Sequence, residues 1–133
     1  IIIDFSTTLS FTALDRQGDL VGVALAPGLE AAASDLRLRA AQIPQVKLEA
    51  PERALGKNTA ESIRSGIMLG WAGLTDRLIE EISREIAPPG VLPSLVGTGW
   101  YDQAPVRTRQ PLTLWESNLA MQGLYRIAMK NRG

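Results

Sequence analysis

The first eight residues place an apolar run directly before a carboxylate and a cluster of hydroxyl groups. The run at 1–3 consists of three isoleucines, and β-branched residues of this kind are typical of a buried strand. Asp4 stands at the predicted end of that strand, and Ser6, Thr7 and Thr8 form the turn that follows. Backbone N–H groups and hydroxyls in such a turn can bind an anion, while a carboxylate can bind a cation. The other interpretation is a strand-end turn whose side chains satisfy only the neighbouring backbone.

Composition limits the chemistry that the chain can carry out. The sequence has 133 residues, 45% of them hydrophobic, which is enough for the core of one domain. It contains neither cysteine nor histidine, so thiolate nucleophiles, histidine-based triads and Cys/His zinc sites are excluded. Fourteen basic residues balance fourteen acidic ones, which argues against nucleic acid or an anionic membrane as a partner. The sequence shows neither a signal peptide nor a membrane-length apolar run, and the expected compartment is the cytoplasm.

Hydrophobic periodicity and turn residues predict an α/β fold in a single domain over residues 1–133. The predicted elements are strands at 1–3, Ser10–Leu14 and Leu20–Ala26, helices from Leu29 to about Ala41 and from about Ala60 to Ile86, a strand at Val91–Val96 and a helix at Leu119–Met129. This order predicts a mixed sheet covered by helices. Asp15 to Asp19 is predicted to be a turn with Gly18 at positive φ, and Trp100 to Pro111 a loop. Because a core strand seldom begins at the first residue of a complete protein, we expect this chain to be part of a longer one.

The long predicted helix carries three glycines. Its predicted core face has residues three or four apart, namely Ile63, Ile67, Gly70, Leu74, Leu78 and Ile82. Gly66, Gly70 and Gly73 each cost a helix roughly 1 kcal/mol relative to alanine. We therefore expect this helix to pack closely against a strand, another helix or a ligand.

Two further glycine motifs have a functional and an ordinary interpretation. Gly97-Thr98-Gly99 follows a predicted strand and could contact a nucleotide, although small turns after strands are common. The segment from Gly56 to Thr59 ends like a P-loop, but Pro51 occupies the position where a P-loop has its first glycine. We reject a P-loop there and expect Asn58 or Thr59 to cap the long helix.

The order of these motifs along the chain is similar to that of the type III pantothenate kinases. The segment Ile3 to Thr12, followed by Asp15, Gly18 and Gly22, resembles the Asp-x-Gly-Thr-Ala-x-Thr-x-Asp segment that opens the second half of that family. The other similar segments are Ala26 to Leu29, Ala40 to Pro44, Gly56 to Thr59, Ser65-Gly66 with Gly70, Thr98-Gly99 and Leu119 to Leu124. Order and spacing agree along nearly the whole chain, which is more specific than any single motif.

This resemblance implies one half of an acetate-and-sugar-kinase/actin-like (ribonuclease H-like) fold, in which two duplicated α/β halves hold ATP between them. The chain resembles the second, C-terminal half, so the N-terminal half of the same protein is expected as its partner. The implied reaction transfers a phosphoryl group from ATP to pantothenate and gives 4'-phosphopantothenate, the first step of coenzyme A biosynthesis. Magnesium and a monovalent cation, potassium or ammonium, are the implied cofactors, and a homodimer is the implied assembly.

Individual roles follow from the resemblance for seven residues. It implies that Asp4 holds the monovalent cation and that Thr59 contacts pantothenate. ATP is assigned to the turn and to the second glycine motif, that is to Ser6, Thr7, Thr8, Thr98 and Gly99, with Thr7 on a phosphate. The aspartate that the family uses as general base belongs to the first half, so no catalytic base is assigned in this chain.

Three residues depart from the family pattern. Ser6 stands where the family has glycine, Thr12 replaces the second aspartate of the motif, and Trp100 replaces the second glycine of a Thr-Gly-Gly turn. Each change adds bulk or removes charge at the expected nucleotide face. They motivate a competing hypothesis, a non-catalytic, kinase-derived regulatory or accessory protein with weakened nucleotide binding.

Overall fold

A computed structural model describes residues 1–39, 44–100 and 109–132, and it contains a mixed five-stranded sheet with helices. The elements are β1 (Ile2–Phe5), β2 (Thr8–Leu14), β3 (Leu20–Pro27), α1 (Leu29–Arg39), α2 (Thr59–Ile86), β4 (Val96–Gly99), β5 (Leu114–Trp115) and α3 (Leu119–Lys130). The strand order is β3-β2-β1-β4-β5. Strands β1, β2 and β3 pair antiparallel, whereas β4 runs parallel to both β1 and β5. The predicted α/β class is therefore confirmed.

The core lies between one face of the sheet and α2. Ile3 and Phe5 of β1 pair with Phe11 and Leu9 of β2, and all four side chains are at most 2% exposed. They lie on one face because successive side chains of a strand alternate between the two faces. Trp71 of α2 covers them, with its ring centroid 5.9 Å from that of Phe5. Its indole N–H donates to the Pro27 carbonyl oxygen at 3.1 Å, which attaches α2 to the end of β3.

The long helix α2 begins as predicted but buries a different face. Asn58 is its N-cap, and its side-chain oxygen accepts from the Glu61 backbone N–H at 2.9 Å. The buried residues of α2 are Ser65, Met68, Trp71, Thr75 and Ile79. The predicted core face was wrong in detail, since Leu74 is 36% exposed and Ile67, Leu78 and Ile82 lie only at the border of the core. Apolar residues occur around much of this helix, so periodicity alone does not select the stripe that Met68 and Trp71 occupy.

The three glycines of α2 have no close neighbour among the described residues outside their own helix. A Cβ placed on Gly66, Gly70 or Gly73 would meet no atom of the described residues within 4 Å, apart from nearby parts of the helix itself. Among the described residues, no strand or other helix packs closely against these glycines, which lie off the Met68–Trp71 stripe. Close packing against a ligand stays a prediction.

The strand after α2 was predicted too early. It comprises Val96–Gly99, so Gly97-Thr98-Gly99 is strand rather than turn, and most of the predicted Val91–Val96 segment is irregular. The reason is pairing, since these residues form a parallel ladder with β1 on one side. The sequence patterns missed β5, which has only two residues.

The turn between β2 and β3 forms as the sequence predicts. Gly18 has φ of +88°, which confirms the turn between β2 and β3. The end of α1 near Ala41 and most of the Trp100 to Pro111 loop lie outside the described residues. No helix in the described parts of the chain combines the length and the apolar character that crossing a membrane requires.

Candidate functional site

Asp4 lies in the middle of the sheet, on the face opposite to the core. Its neighbours in the strand, Ile3 and Phe5, face the core, so the Asp4 side chain faces the other way. The register places Asp4 between Ser10 of β2 and Thr98 of β4. One carboxylate and two hydroxyls from three strands therefore form a row across the sheet. The prediction placed Asp4 at the end of its strand, and the structure places it one residue before the end.

One oxygen of this carboxylate is buried without a partner. Asp4 Oδ1 makes no hydrogen bond to any described residue, although it is shielded from solvent. A buried charged oxygen without a donor or cation is unfavourable, since the charge loses its hydration. Such an atom therefore suits a bound cation or an added donor. Among the described residues, Asp4 is not part of any group of three or more acidic side chains that could hold a metal ion.

Gly99 borders the same carboxylate and has a backbone that only glycine adopts easily. Its φ is +106°, and a Cβ at this position would lie 2.7 Å from Asp4 Oδ1 and 2.5 Å from the Phe5 carbonyl oxygen. The next residue, Trp100, donates its backbone N–H to that Phe5 oxygen at 3.1 Å. Gly99 thus lets the end of β4 close over the Asp4 side chain.

The turn between β1 and β2 presents hydroxyls beside this row. Thr7 and Thr8 are exposed, and the Ser6 backbone N–H donates to the Thr8 carbonyl oxygen at 3.2 Å. The Ser6 hydroxyl lies 3.4 Å from the same carbonyl and donates to it. In this structure Ser6 therefore satisfies the neighbouring backbone, as expected for an ordinary strand-end turn. Thr7 and Thr8 are exposed.

Gly28, which directly precedes α1, packs against the backbone of this turn. A Cβ on Gly28 would lie 2.5 Å from the Ser6 carbonyl oxygen and would also overlap the Thr7 carbonyl. Gly28 is buried, and its own carbonyl accepts the Ala32 N–H at 3.0 Å, which opens the helix. The position of the turn therefore depends on the absence of a side chain at residue 28.

Thr59 occupies a separate element. It is the first residue of α2 and its side chain is exposed, while Asn58 takes the capping role. The structure thus brings Asp4, Thr98 and Gly99 together next to the Ser6–Thr8 turn. Thr59 lies elsewhere, at the N-terminus of α2.

The residues match one family of known proteins. A family model described as type III pantothenate kinase matches residues 1–81. The chain belongs to the type III pantothenate kinase family. A type III pantothenate kinase of Symbiobacterium thermophilum is 33% identical over 93% of this chain and 46% of the relative. The kinase of Desulfatibacillum aliphaticivorans is 35% identical over 93% of this chain and 48% of the relative.

The similarity covers nearly all of this chain but only part of its relatives. The kinase of Salinispora arenicola is 31% identical over 98% of this chain and 51% of its own length. The chain thus spans about half the length of the curated type III pantothenate kinases that it matches. Among solved structures, a conserved Campylobacter jejuni protein assigned to the Baf family of transcriptional activators superposes with a TM-score of 0.61. It is 16% identical and covers 98% of this chain and 57% of its own, which shows a shared fold.

Three residues in or near this candidate site received no role from the sequence, and the third of them lies on the core face of the sheet. Ser10 lies beside Asp4 because of the antiparallel register, and the alternation of β2 was the signal that could have indicated it. Gly28 was noted only as part of a turn. Trp115 stacks on Phe5 with ring centroids 5.8 Å apart. Its ring also fills the space that a Cβ on Gly97 would need. Local sequence carries no signal for this last contact, since it depends on the pairing of β4 with β5.

Proposed function

We propose that this chain forms the second half of a kinase that transfers the γ-phosphoryl group of ATP to pantothenate. The product is 4'-phosphopantothenate, the first step of coenzyme A biosynthesis. The observation that carries this proposal is the buried Asp4 oxygen, which has no hydrogen-bond partner in the described part of the chain and is flanked by Ser10 and Thr98, in a chain of this family. The overall architecture would be the two-halved acetate-and-sugar-kinase/actin-like fold, with this chain supplying one half.

Asp4 is proposed to hold the monovalent cation, potassium or ammonium. Its buried oxygen belongs to a carboxylate, and the Ser10 and Thr98 positions next to it carry hydroxyl oxygens. Hard cations prefer oxygen ligands of these kinds. A cation here would compensate the carboxylate and add positive charge near the Ser6–Thr8 turn.

ATP is proposed to bind along the Ser6–Thr8 turn and the end of β4. The exposed hydroxyls of Thr7 and Thr8 can donate to phosphate oxygens, with Thr7 on a phosphate. Thr98 and Gly99 would lie by the nucleotide. Magnesium would accompany ATP and offset the charge on its phosphate oxygens, because phosphoryl transfer depends mainly on positioning and charge neutralisation. Ser6 limits the approach of phosphate to the backbone, since its side chain occupies space that glycine would leave open.

The acceptor is proposed to reach this site with help from Thr59, whose hydroxyl is exposed at the start of α2. The general base would come from the N-terminal half of the same protein. A homodimer in the cytoplasm is the proposed working form.

The deciding experiment measures ADP release by the full-length gene product with ATP, magnesium and potassium, with and without pantothenate. We expect ADP release that depends on pantothenate and falls when potassium is replaced by sodium. The variant Asp4→Asn should lower this ADP release. Asp19→Asn is its matched control, because Asp19 is an exposed carboxylate in the β2–β3 turn. A folded protein that binds no ATP and releases no ADP would contradict the kinase and favour the non-catalytic alternative.

A further inference from the structure

Trp71 contacts the chain on both sides of the Ser6–Thr8 turn. Its ring centroid lies 5.9 Å from that of Phe5, the residue directly before the turn. Its indole N–H donates to the carbonyl oxygen of Pro27 at 3.1 Å, and Pro27 pairs with Thr8, the last residue of the turn. One side chain of α2 is therefore connected to both ends of the turn.

The Pro27 carbonyl is followed directly by backbone that lies against the turn. A Cβ on Gly28 would lie 2.4 Å from the Thr7 carbonyl oxygen, so the backbone at residue 28 is in contact with the turn. The next residue, Leu29, is 1% exposed and fixes this segment in the core. Because closely packed groups transmit a displacement, a shift of Pro27 would move Thr7.

The same helix carries the residue that is assigned to the acceptor. Thr59 is the first residue of α2, and the helix is continuous from there to Trp71. At roughly 1.5 Å per residue, the two residues lie about 18 Å apart along the helix axis. The helix therefore connects Thr59 to the turn, with Trp71 as the contact at the turn.

The hydrogen bond gives Trp71 a role that packing alone does not. Trp71 is 5% exposed, and a phenylalanine would fill much of the same apolar space. It would leave the Pro27 carbonyl oxygen without the indole donor, and a lost buried hydrogen bond weakens the attachment of the two segments. Buried indole N–H groups usually have a partner. Here that partner belongs to the segment that packs against the turn.

We propose that Trp71, through its indole N–H, is a positioning residue that holds the Ser6–Thr8 turn in place relative to α2 and Thr59. This inference rests on the proposed function, in which Thr7 contacts a phosphate of ATP and Thr59 contacts pantothenate. Phosphoryl transfer depends on holding donor and acceptor in line, so the relative position of these two residues affects the rate.

Two variants of the full-length protein test this inference by removing the donor. Trp71→Phe removes it together with part of the ring, whereas Trp71→β-(3-benzothienyl)alanine replaces the indole N–H by sulfur and keeps the bicyclic ring. We expect both to lower kcat/KM for ATP about tenfold, less than the roughly 100-fold that a misplacement of 1 Å can cost. KM for pantothenate should stay unchanged, because Thr59 keeps its place at the helix start. Hydrogen–deuterium exchange should become faster in the peptide that covers residues 5–9.

Ser83→Ala is the matched control on the same helix. The Ser83 hydroxyl donates to the Ile79 carbonyl oxygen at 2.6 Å, and Ser83 lies about 18 Å beyond Trp71 along the helix axis. This variant also removes a side-chain to backbone hydrogen bond of α2. It should leave kcat/KM for ATP and the exchange of residues 5–9 as in the wild type.

Two results would overturn the inference. One is a benzothienylalanine variant with the wild-type kcat/KM for ATP and wild-type exchange, since the N–H would then have no role. The other is an equal loss of kcat/KM in Ser83→Ala and in the Trp71 variants, which would reflect general destabilisation. Exchange does not depend on phosphoryl transfer. Faster exchange of residues 5–9 in the variants, together with a wild type that releases no ADP, would therefore refute the proposed function and support the role of Trp71 in holding the turn.

Discussion

At the scale of single residues, Asp4 shows a conflict between stability and site chemistry. Its buried oxygen has no partner among the described residues, so the carboxylate contributes an unfavourable term to folding. Residues that are unfavourable for folding often occur at functional sites, where they are retained for binding or catalysis. The neighbouring Gly99 is consistent with this view, since its φ of +106° favours glycine and a side chain there would overlap Asp4 Oδ1.

Asp4→Asn is therefore expected to change activity and stability in opposite directions. Activity should fall roughly 100-fold in kcat/KM, as when one electrostatic contact of a transition state is removed. The melting temperature of the full-length protein without ligands should stay the same or rise, because the buried charge is gone. Kinetics at several potassium concentrations and thermal unfolding measure the two effects. A parallel loss of activity and melting temperature would mean that Asp4 acts only as a structural residue.

At the scale of elements, local signals predicted the structure where local contacts determine it. The β2–β3 turn follows from Asp15, whose carboxylate accepts the Gln17 and Asp19 N–H groups at 2.9 Å each, and from Gly18. The start of α2 follows from Asn58. In contrast, the shift of β4 to Val96–Gly99 follows from its pairing with β1, more than ninety positions away along the chain. Propensity does not encode such a distant partner, and a two-residue strand such as β5 is too short to give a pattern.

The start of α2 also gives a prediction about stability. The Asn58 side chain accepts the Glu61 N–H, and Glu61 accepts the Lys57 N–H at 2.9 Å, which satisfies two donors at this helix end. Asn58→Ala should destabilise the full-length protein by about 1 kcal/mol in chemical denaturation. Asn118→Ala is the matched control, since the Asn118 side chain caps nothing among the described residues. Equal effects of both variants would contradict the capping role.

The same contact gives the helix start a pH dependence. The Lys57 backbone N–H, together with Asn58, lowers the pKa of Glu61 below its usual 4.5. A lowered pKa in the folded state means that the contribution of Glu61 is present above pH 4.5 and is lost as the pH falls through the folded value. The destabilisation caused by Glu61→Ala should therefore shrink as the pH falls from neutral to below 4.5. A difference that stays constant over this range would exclude the ionised carboxylate as the cause.

At the scale of the whole molecule, the candidate site joins distant parts of the chain. Asp4, Ser10 and Thr98 come from three strands, and only the sheet order brings them into one row. Periodicity and turn residues indicated Asp4 and the segment around Thr98 as candidates, and the family resemblance gave them roles. Neither showed that the two residues are neighbours, and Ser10 received no role. The exposure of α3 is likewise a property of the assembled chain, because none of its residues is buried by the other described elements.

The sheet itself leaves apolar residues uncovered at its edge. Strand β3 is an edge strand, and Val23 and Leu25 are 56% and 72% exposed on the same sheet face as Thr12 and Ser10. Exposed apolar edge strands promote association between chains. We expect the 133-residue chain alone to associate with increasing concentration in sedimentation velocity, and Val23→Lys to reduce this association. Gln17→Lys adds the same charge at the exposed β2–β3 turn and should have little effect. Equal reduction by both lysines would attribute the change to net charge and exclude the β3 edge as the contact.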